Sequence, residues 1–332
     1  MENSGDFRIA PFKKGAPDGV YVSASDAPEK LVFLLHGYMG DVESNLDFAK
    51  KIAENVPSAR VVLINGLTQV PALNDPHHRQ WFELDDRNNP RALGGFTQEA
   101  DALQQSLIAQ MQPRVHFTAG ILNRLIVATA NEFGVKLADC AVAGISQGGM
   151  TAFEMTLFRP EINAAQNHIG ALVIIGAGIV KPERLLNPLR LPKIPVLLTI
   201  GNQDEFFPPE LNDFSQKMLE KQGLPVSRFQ TDSAHFGLEH KVAPAVFGFF
   251  SKVRQPTAGM NLQIRRSRMH RRPSGVFSSF QGKNMKKTLT ALAAATAMCG
   301  ASAASVTLYG VVDTGFAYNN VESDGFAFVT EG

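Results

Sequence analysis

The stretch Gly144-Ile145-Ser146-Gln147-Gly148, followed by Gly149, constrains this chain more than any other. It comes directly after an apolar run, Cys140-Ala141-Val142-Ala143, and directly before a helix-like run from Met150 to Phe158. That order predicts a buried strand, a sharp turn with serine at its apex, and a helix. Side chains two residues before and two residues after the serine would run into neighbouring backbone, and both positions are glycine. Such a turn lifts Ser146 Oγ clear of a sheet and points a helix N-terminus at whatever bonds to it. The alternative is an ordinary turn serine, because glycine and serine are common in turns. The flanking strand and helix favour the reactive reading.

The chain up to residue 253 alternates apolar runs with helix-like ones. Leu31–Leu35, Arg60–Ile64, Ala171–Ile175 and Pro195–Ile200 are continuous apolar or nearly apolar runs, as expected of parallel strands covered on both faces. Phe7–Ile9 and Val20–Val22 are candidate short strands at the start, and Val226–Gln230 is the last. Helices are expected over Glu43–Asn55, Thr97–Met111 (stopped by Pro113), Phe117–Phe133, Pro209–Gln222 with Gly223 as its cap, and Glu239–Val253. The expected architecture is therefore α/β, a mostly parallel, doubly wound sheet. No run of inserted helices between the later strands predicts a large lid; the polar segment Pro71 to Gly95 is the candidate cover.

In such sheets ligands bind beyond the carboxyl ends of the strands. His36, Ser146, Asp204 and His235 each sit at or just after such an end. A serine hydroxyl needs an imidazole to take its proton, and the imidazole needs a carboxylate to orient it and to stabilise its charged form. The chain order serine, acid, histidine is that of α/β-hydrolases. The backbone N–H groups of Gln147 and Tyr38 are the candidate oxyanion donors. Glu205 or Asp232 could replace Asp204 as the acid, and His240 competes with His235, although His240 falls inside the closing helix. His36 reads as a structural holder of the loop after it. His77-His78 is a poor metal pair, since adjacent residues rarely face one ion and no third ligand is evident. No metal or cofactor is expected.

The first ~250 residues resemble the phospholipase/carboxylesterase family, which includes acyl-protein thioesterases and small carboxylesterases. The resemblance rests on Leu35-His36-Gly37, Asn65-Gly66, Trp81-Phe82-Glu83, Gly144-Ile145-Ser146-Gln147-Gly148-Gly149, Gly201-x-x-Asp204 and Ala234-His235. It implies Ser146 as nucleophile, His235 as base and Asp204 as acid, with Tyr38 and Gln147 donating to the oxyanion. Trp81 would line the acyl pocket, or else be a core aromatic, and Met39 is the second candidate pocket residue. The loop His36-Gly37-Tyr38-Met39-Gly40, Ile145 and the polar stretch Asn74–Asn89 depart from the family pattern and bear on substrate choice. The implied activity is hydrolysis of carboxylic esters, with thioesters as the alternative substrate. A non-catalytic binding protein of the same fold is the alternative of a different class. A homodimer is implied by resemblance alone.

Composition narrows the rest. Lysine plus arginine number 32 against 31 acidic residues, a net charge of +1 that predicts no nucleic-acid partner. The two cysteines, Cys140 and Cys299, lie in unlike surroundings and make no disulfide framework. The opening residues, Met1 to Asp6, lack a charged-then-apolar pattern, so the first domain is expected in the cytoplasm.

Beyond residue 253 the pattern changes. Residues 254–284 read as a basic disordered linker, with Arg265, Arg266, Arg268, Arg271 and Arg272 and no apolar periodicity. Residues 285–304 have the form of a secretory signal peptide: Lys286-Lys287, an apolar core over Ala291–Met298 and a small-residue cleavage site around Ala301–Ala304. Residues 305–332 resemble the start of a Gram-negative general porin, with Val306, Leu308, Val312 and Phe316 on one face of a first strand. One strand cannot close a barrel. This tail is expected to have no fold of its own and to derive from a neighbouring porin gene; a membrane partner, or a role as an outer-membrane porin fragment, follows only if it is genuine.

Overall fold

The computed structural model describes residues 7–12, 18–73, 75–84, 102–164, 167–187, 191–252, 316–321 and 325–330. The chain divides into two units, Met1–Asn261 and Leu262–Gly332.

The first unit is built on an eight-stranded sheet. Its strands are β1 (Arg8–Phe12), β2 (Gly19–Ser23), β3 (Lys30–Leu35), β4 (Ala59–Ile64), β7 (Cys140–Ile145), β10 (Ala171–Ile175), β11 (Val196–Gly201) and β12 (Val226–Thr231). Two small hairpins lie outside it, β5 (Thr68–Gln69) with β6 (Arg79–Gln80), and β8 (Asn163–Ala164) with β9 (Asn167–His168). The sheet order is β1-β2-β4-β3-β7-β10-β11-β12. The pairs β1–β2 and β2–β4 are antiparallel, and every pair from β4 to β12 is parallel. Among the described residues five α-helices flank the sheet: α1 (Leu46–Asn55), α2 (Ala102–Glu132), α3 (Gln147–Phe158), α4 (Pro209–Lys221) and α5 (Leu238–Lys252).

The apolar runs become the central strands because both faces are covered. One core gathers Leu31, Phe33 and Leu35 of β3 with α2, α3 and α4; the other gathers Val32 and Leu34 with α1 and α5. Alternate residues of one strand thus feed opposite cores, which is why β3 reads as a continuous apolar run. Each fully buried Leu, Ile, Val or Phe contributes roughly 1.5–3 kcal/mol relative to exposure. The fold is that of the α/β-hydrolases.

The two helices expected on either side of Pro113 are one. α2 runs unbroken with Pro113 inside it. Proline removes one main-chain donor, but Pro113 and Ala109, whose carbonyl loses that partner, both face solvent. Water can take the vacated carbonyl, while Met111, Val115, Ala119, Leu122 and Ile126 on the opposite side are fully buried and hold the helix against the core. α3 is anchored by Glu154, whose buried carboxylate receives both terminal nitrogens of Arg184, at 3.0 and 2.5 Å, and Nδ1 of His116 at 2.6 Å. Three segments of chain meet on that one charge, and the serine turn sits at the other end of the same helix.

Of the tail, β13 (Phe316–Val321) and β14 (Gly325–Thr330) pair as one antiparallel hairpin. The sequence predicts a tail with no fold of its own, and a lone two-stranded hairpin, marginal in water, does not amount to one. The basic linker 254–284, the signal-like segment 285–304 and the first porin-like strand around 305–313 lie outside the described residues. Among the described residues, no helix is long and apolar enough to cross a membrane.

Candidate active site

Ser146 occupies the turn between β7 and α3 with φ 51° and ψ −116°. A non-glycine residue there is strained by about 1–3 kcal/mol and persists only where its surroundings dictate it. Those surroundings are visible. Ser146 N–H donates to the carbonyl of Ile175 at 2.9 Å, and its carbonyl accepts from Met150 N–H at 3.0 Å. A Cβ on Gly144 would stand 2.3 Å from the Gly148 carbonyl oxygen, and one on Gly148 would stand 2.5 Å from those of Leu35 and His36. The two glycines let β7, α3 and the end of β3 pack against one another, and the serine takes the strain.

His235, just beyond β12, faces both partners. Its Nε2 lies 2.9 Å from Ser146 Oγ and its Nδ1 lies 2.8 Å from Asp204 Oδ2. A carboxylate can only accept, so Nδ1 carries the proton and Nε2 is left to accept from the serine hydroxyl. The other oxygen of Asp204, Oδ1, accepts the backbone N–H groups of Phe206 (2.9 Å) and Phe207 (2.8 Å). Both carboxylate oxygens are thereby engaged on a side chain closed to solvent. Asp232 is exposed and takes the Gln203 amide instead, and His240 leans on Glu239 from α5. Of the alternatives open in the sequence, the structure brings together Ser146, His235 and Asp204.

Gly176, at the end of β10, lies beneath this chain with φ +53°. A Cβ there would approach Leu238 Cδ2 at 3.0 Å, Asp204 Oδ2 at 3.1 Å and His235 Nδ1 at 3.4 Å. Gly176→Ala is expected to cost about 1–2 kcal/mol of stability through its left-handed backbone. It should also lower turnover by pressing on the imidazole–carboxylate pair; urea unfolding and ester hydrolysis read the two effects separately.

The loop after β3 is held by a second set of bonds. His36 is buried, with Nδ1 2.7 Å from the Gly37 carbonyl and Nε2 accepting Gly66 N–H at 2.8 Å. The Gly66 carbonyl receives two Arg79 guanidinium N–H groups (3.1 and 2.9 Å), and the Arg79 carbonyl receives Met39 N–H at 2.9 Å. Asn65 Oδ1 accepts Val42 N–H at 3.0 Å. His36 is therefore a holder of the loop, not a reacting group. Burial pushes its pKa down to about 4. Because the unfolded chain binds that proton near pH 6.5, stability should fall as pH drops from about 6.5 to 4, by about 3 kcal/mol in all. Urea midpoints measured across that window check this. His36→Gln, which keeps an acceptor for Gly66, should flatten the slope.

Trp81 does not line an open wall. It is only 1% exposed, with its indole N–H donating to the His36 carbonyl at 2.7 Å and its ring 4.8 Å from the imidazole of His36. Burial on all sides leaves it nothing to offer a ligand, so the core reading replaces the pocket reading. Gln147 joins the same layer. Its side chain accepts Trp81 N–H at 2.9 Å and donates to the Phe82 carbonyl at 2.8 Å, tying the serine turn to the segment after β6. Its backbone N–H opens α3, beside Ser146. Tyr38 follows Gly37, whose position is close enough that a Cβ there would meet Ser146 Cβ at 3.5 Å. Met39 is 42% exposed with φ +64°.

Three phenylalanines that the sequence reading passed over surround His235. Ring centroids of Phe206, Phe207 and Phe236 lie 5.0, 5.6 and 5.6 Å from the imidazole. Their positions next to Asp204 and His235 in the chain were the available signal. His77 pairs with Asp41 at 3.0 Å and His78 with Asp75 at 3.1 Å, so the adjacent histidines turn to different carboxylates. Cys140 is buried, its thiol pushed up to about 12 by desolvation, which leaves it inert as a nucleophile. A cavity of about 630 Å³, bounded by Gly170, Pro195 and Lys252 among others, lies at the amino ends of the strands, the edge of the sheet opposite Ser146.

A strained serine at the carboxyl edge of a doubly wound sheet, with an imidazole and a carboxylate in line behind it, is an α/β-hydrolase arrangement. The phospholipase/carboxylesterase family model matches residues 18–252, and the chain belongs to that family. It is a hydrolase of the carboxylic ester class at that level. Among solved structures it is similar to esterase PE8, with a TM-score of 0.57 at 21% identity over 75% of this chain and 99% of that one. It is similar also to a carboxylesterase from Mesorhizobium loti, with a TM-score of 0.53 at 19% identity over 74% of this chain and 99% of that one. Arabidopsis thaliana SOBER1 matches with a TM-score of 0.50 at 14% identity, over 67% and 97% of the two chains. At these identities the structural likeness speaks for the fold.

Proposed function

We propose that the chain cleaves carboxylic esters through an acyl-enzyme on Ser146. The observation that carries this reading is the continuous hydrogen-bonded line from Asp204 through His235 to Ser146 Oγ. His235 Nε2 takes the hydroxyl proton as Oγ bonds to the ester carbonyl carbon, and Asp204 stabilises the imidazolium through Nδ1–H. The carbonyl oxygen, now anionic, is met by the backbone N–H groups of Gln147 and Tyr38; one such donor is typically worth ~10²–10³ in turnover. The tetrahedral adduct collapses, the C–O bond to the alcohol breaks, and His235 returns its proton to the departing oxygen. Water then attacks the acyl-enzyme with His235 again as base, releasing the acid and restoring Ser146.

The same steps serve a thioester, with a thiol leaving in place of an alcohol. A fluorophosphonate reagent applied to the full chain, followed by peptide mass spectrometry, tests the mechanism. The expected adduct is on Ser146, in step with loss of 4-nitrophenyl butyrate hydrolysis. A folded protein that hydrolyses the ester yet remains unlabelled at Ser146 would sink the acyl-enzyme reading.

A further inference from the structure

We infer that Phe236 is a specificity residue for the leaving group, so that this site prefers esters of apolar alcohols. The inference rests on the acyl-enzyme reading and on one asymmetry of the site. Phe236 is 79% exposed, the most open of the large apolar side chains among the described residues. Hydrophobic side chains scattered singly on a surface need no explanation. This one is not placed at random: it directly follows His235, its ring lies 5.6 Å from the imidazole, and it packs edge-on against Phe206 at 5.8 Å. Gly237, with φ +75°, turns the chain immediately after it.

The chemistry assigns the side of the site. His235 Nε2 must hand its proton to the departing oxygen, so the alcohol portion has to lie against the imidazole while the acyl portion remains on Ser146. Of the rings against His235, Phe207 is buried, so the open ring of Phe236 is the one set beside the alcohol and not the acyl chain. Phe206 and Phe236, packed edge to face, together give that side an apolar wall. An apolar alcohol would cover the open face of Phe236; a small or charged one would leave it in water. Because deacylation occurs after the alcohol has gone, Phe236 should act on acylation alone.

The test uses the full chain and the variant Phe236→Ala, whose removed ring is exposed, so the melting temperature should hold. Ethyl, butyl and benzyl butyrates vary the alcohol; 4-nitrophenyl acetate, butyrate and octanoate vary the acid. Loss of a contact worth the burial of one or two methylenes predicts a drop of about 4- to 15-fold in kcat/KM for benzyl butyrate relative to ethyl butyrate. The rank and spacing of the acyl series should not change. An equal change for all three alcohols, or a shift confined to the acyl series, would overturn the assignment while leaving the acyl-enzyme intact. Wild-type protein that hydrolyses none of these esters would instead defeat the mechanism on which it rests.

Discussion

Ser146→Ala is expected to lower kcat for 4-nitrophenyl butyrate on the order of 10⁶-fold with the fold unchanged. In the proposed mechanism Oγ is the atom that bonds to substrate, and among the described residues the hydroxyl partner of the imidazole's Nε2 is that of Ser146. His235→Ala should cost a similar factor, because the hydroxyl is a weak nucleophile without a base. The double variant should then be little worse than either single one, since the groups act as one unit. What survives is the binding and oxyanion contribution, a residual of roughly 10³-fold over water. Initial rates on the purified variants, with circular dichroism as a control for folding, decide the matter. Near-additive losses would mean that the two residues serve separate steps.

Asp204→Asn is the second large effect, expected at about 10⁴-fold in kcat at neutral pH. The reason is written in the contacts of the carboxylate. Oδ1 accepts two backbone N–H groups, from Phe206 and Phe207, so the oxygen of an asparagine must stay there. Its amide nitrogen is then turned toward His235 Nδ1, and that nitrogen donates. His235 is forced to accept at Nδ1 and to carry its proton on Nε2, where it meets Ser146 Oγ. The imidazole keeps its place but holds the wrong tautomer for removing the serine proton. A variant that binds substrate normally yet turns over slowly is the expected outcome; loss of affinity with kcat preserved would overturn it.

The legible part of the site is the part built from punctuation. Ser146, Asp204 and His235 stand where apolar runs stop, and residues at strand ends are marked in a sequence by their contrast with what precedes them. Gly144 and Gly148 were legible for the same reason, as positions where a turn leaves no room for a side chain. What surrounds them was not. Gln147 bonds to Trp81 across 66 positions and His36 to Gly66 across 30. No periodicity encodes such pairs, because they depend on how strands order themselves in the sheet. Trp81 looked equally suited to a pocket or a core, and the ring of His36 decided for the core. Pro113 looked like a helix stop, and its exposure made it tolerable inside a helix.

By itself, the sequence determined the doubly wound class, the serine turn and the types of residue available for catalysis. Apolar runs fix strands that must be covered on both faces, and local steric conflict fixes the two glycines. Only the tertiary structure decided which acid faces His235, because Asp204, Glu205 and Asp232 all stand just beyond strand ends in the sequence. The adjacency of β11 and β12 brings them together: Asp204 follows the one strand and His235 the other, and Gly176 at the end of β10 leaves room beside both. The structure also set the three rings around His235 and left one of them open to solvent. The physical reason is common to all of these. Local pattern records burial and turn geometry, whereas a reactive line of atoms exists only where separate strands end side by side.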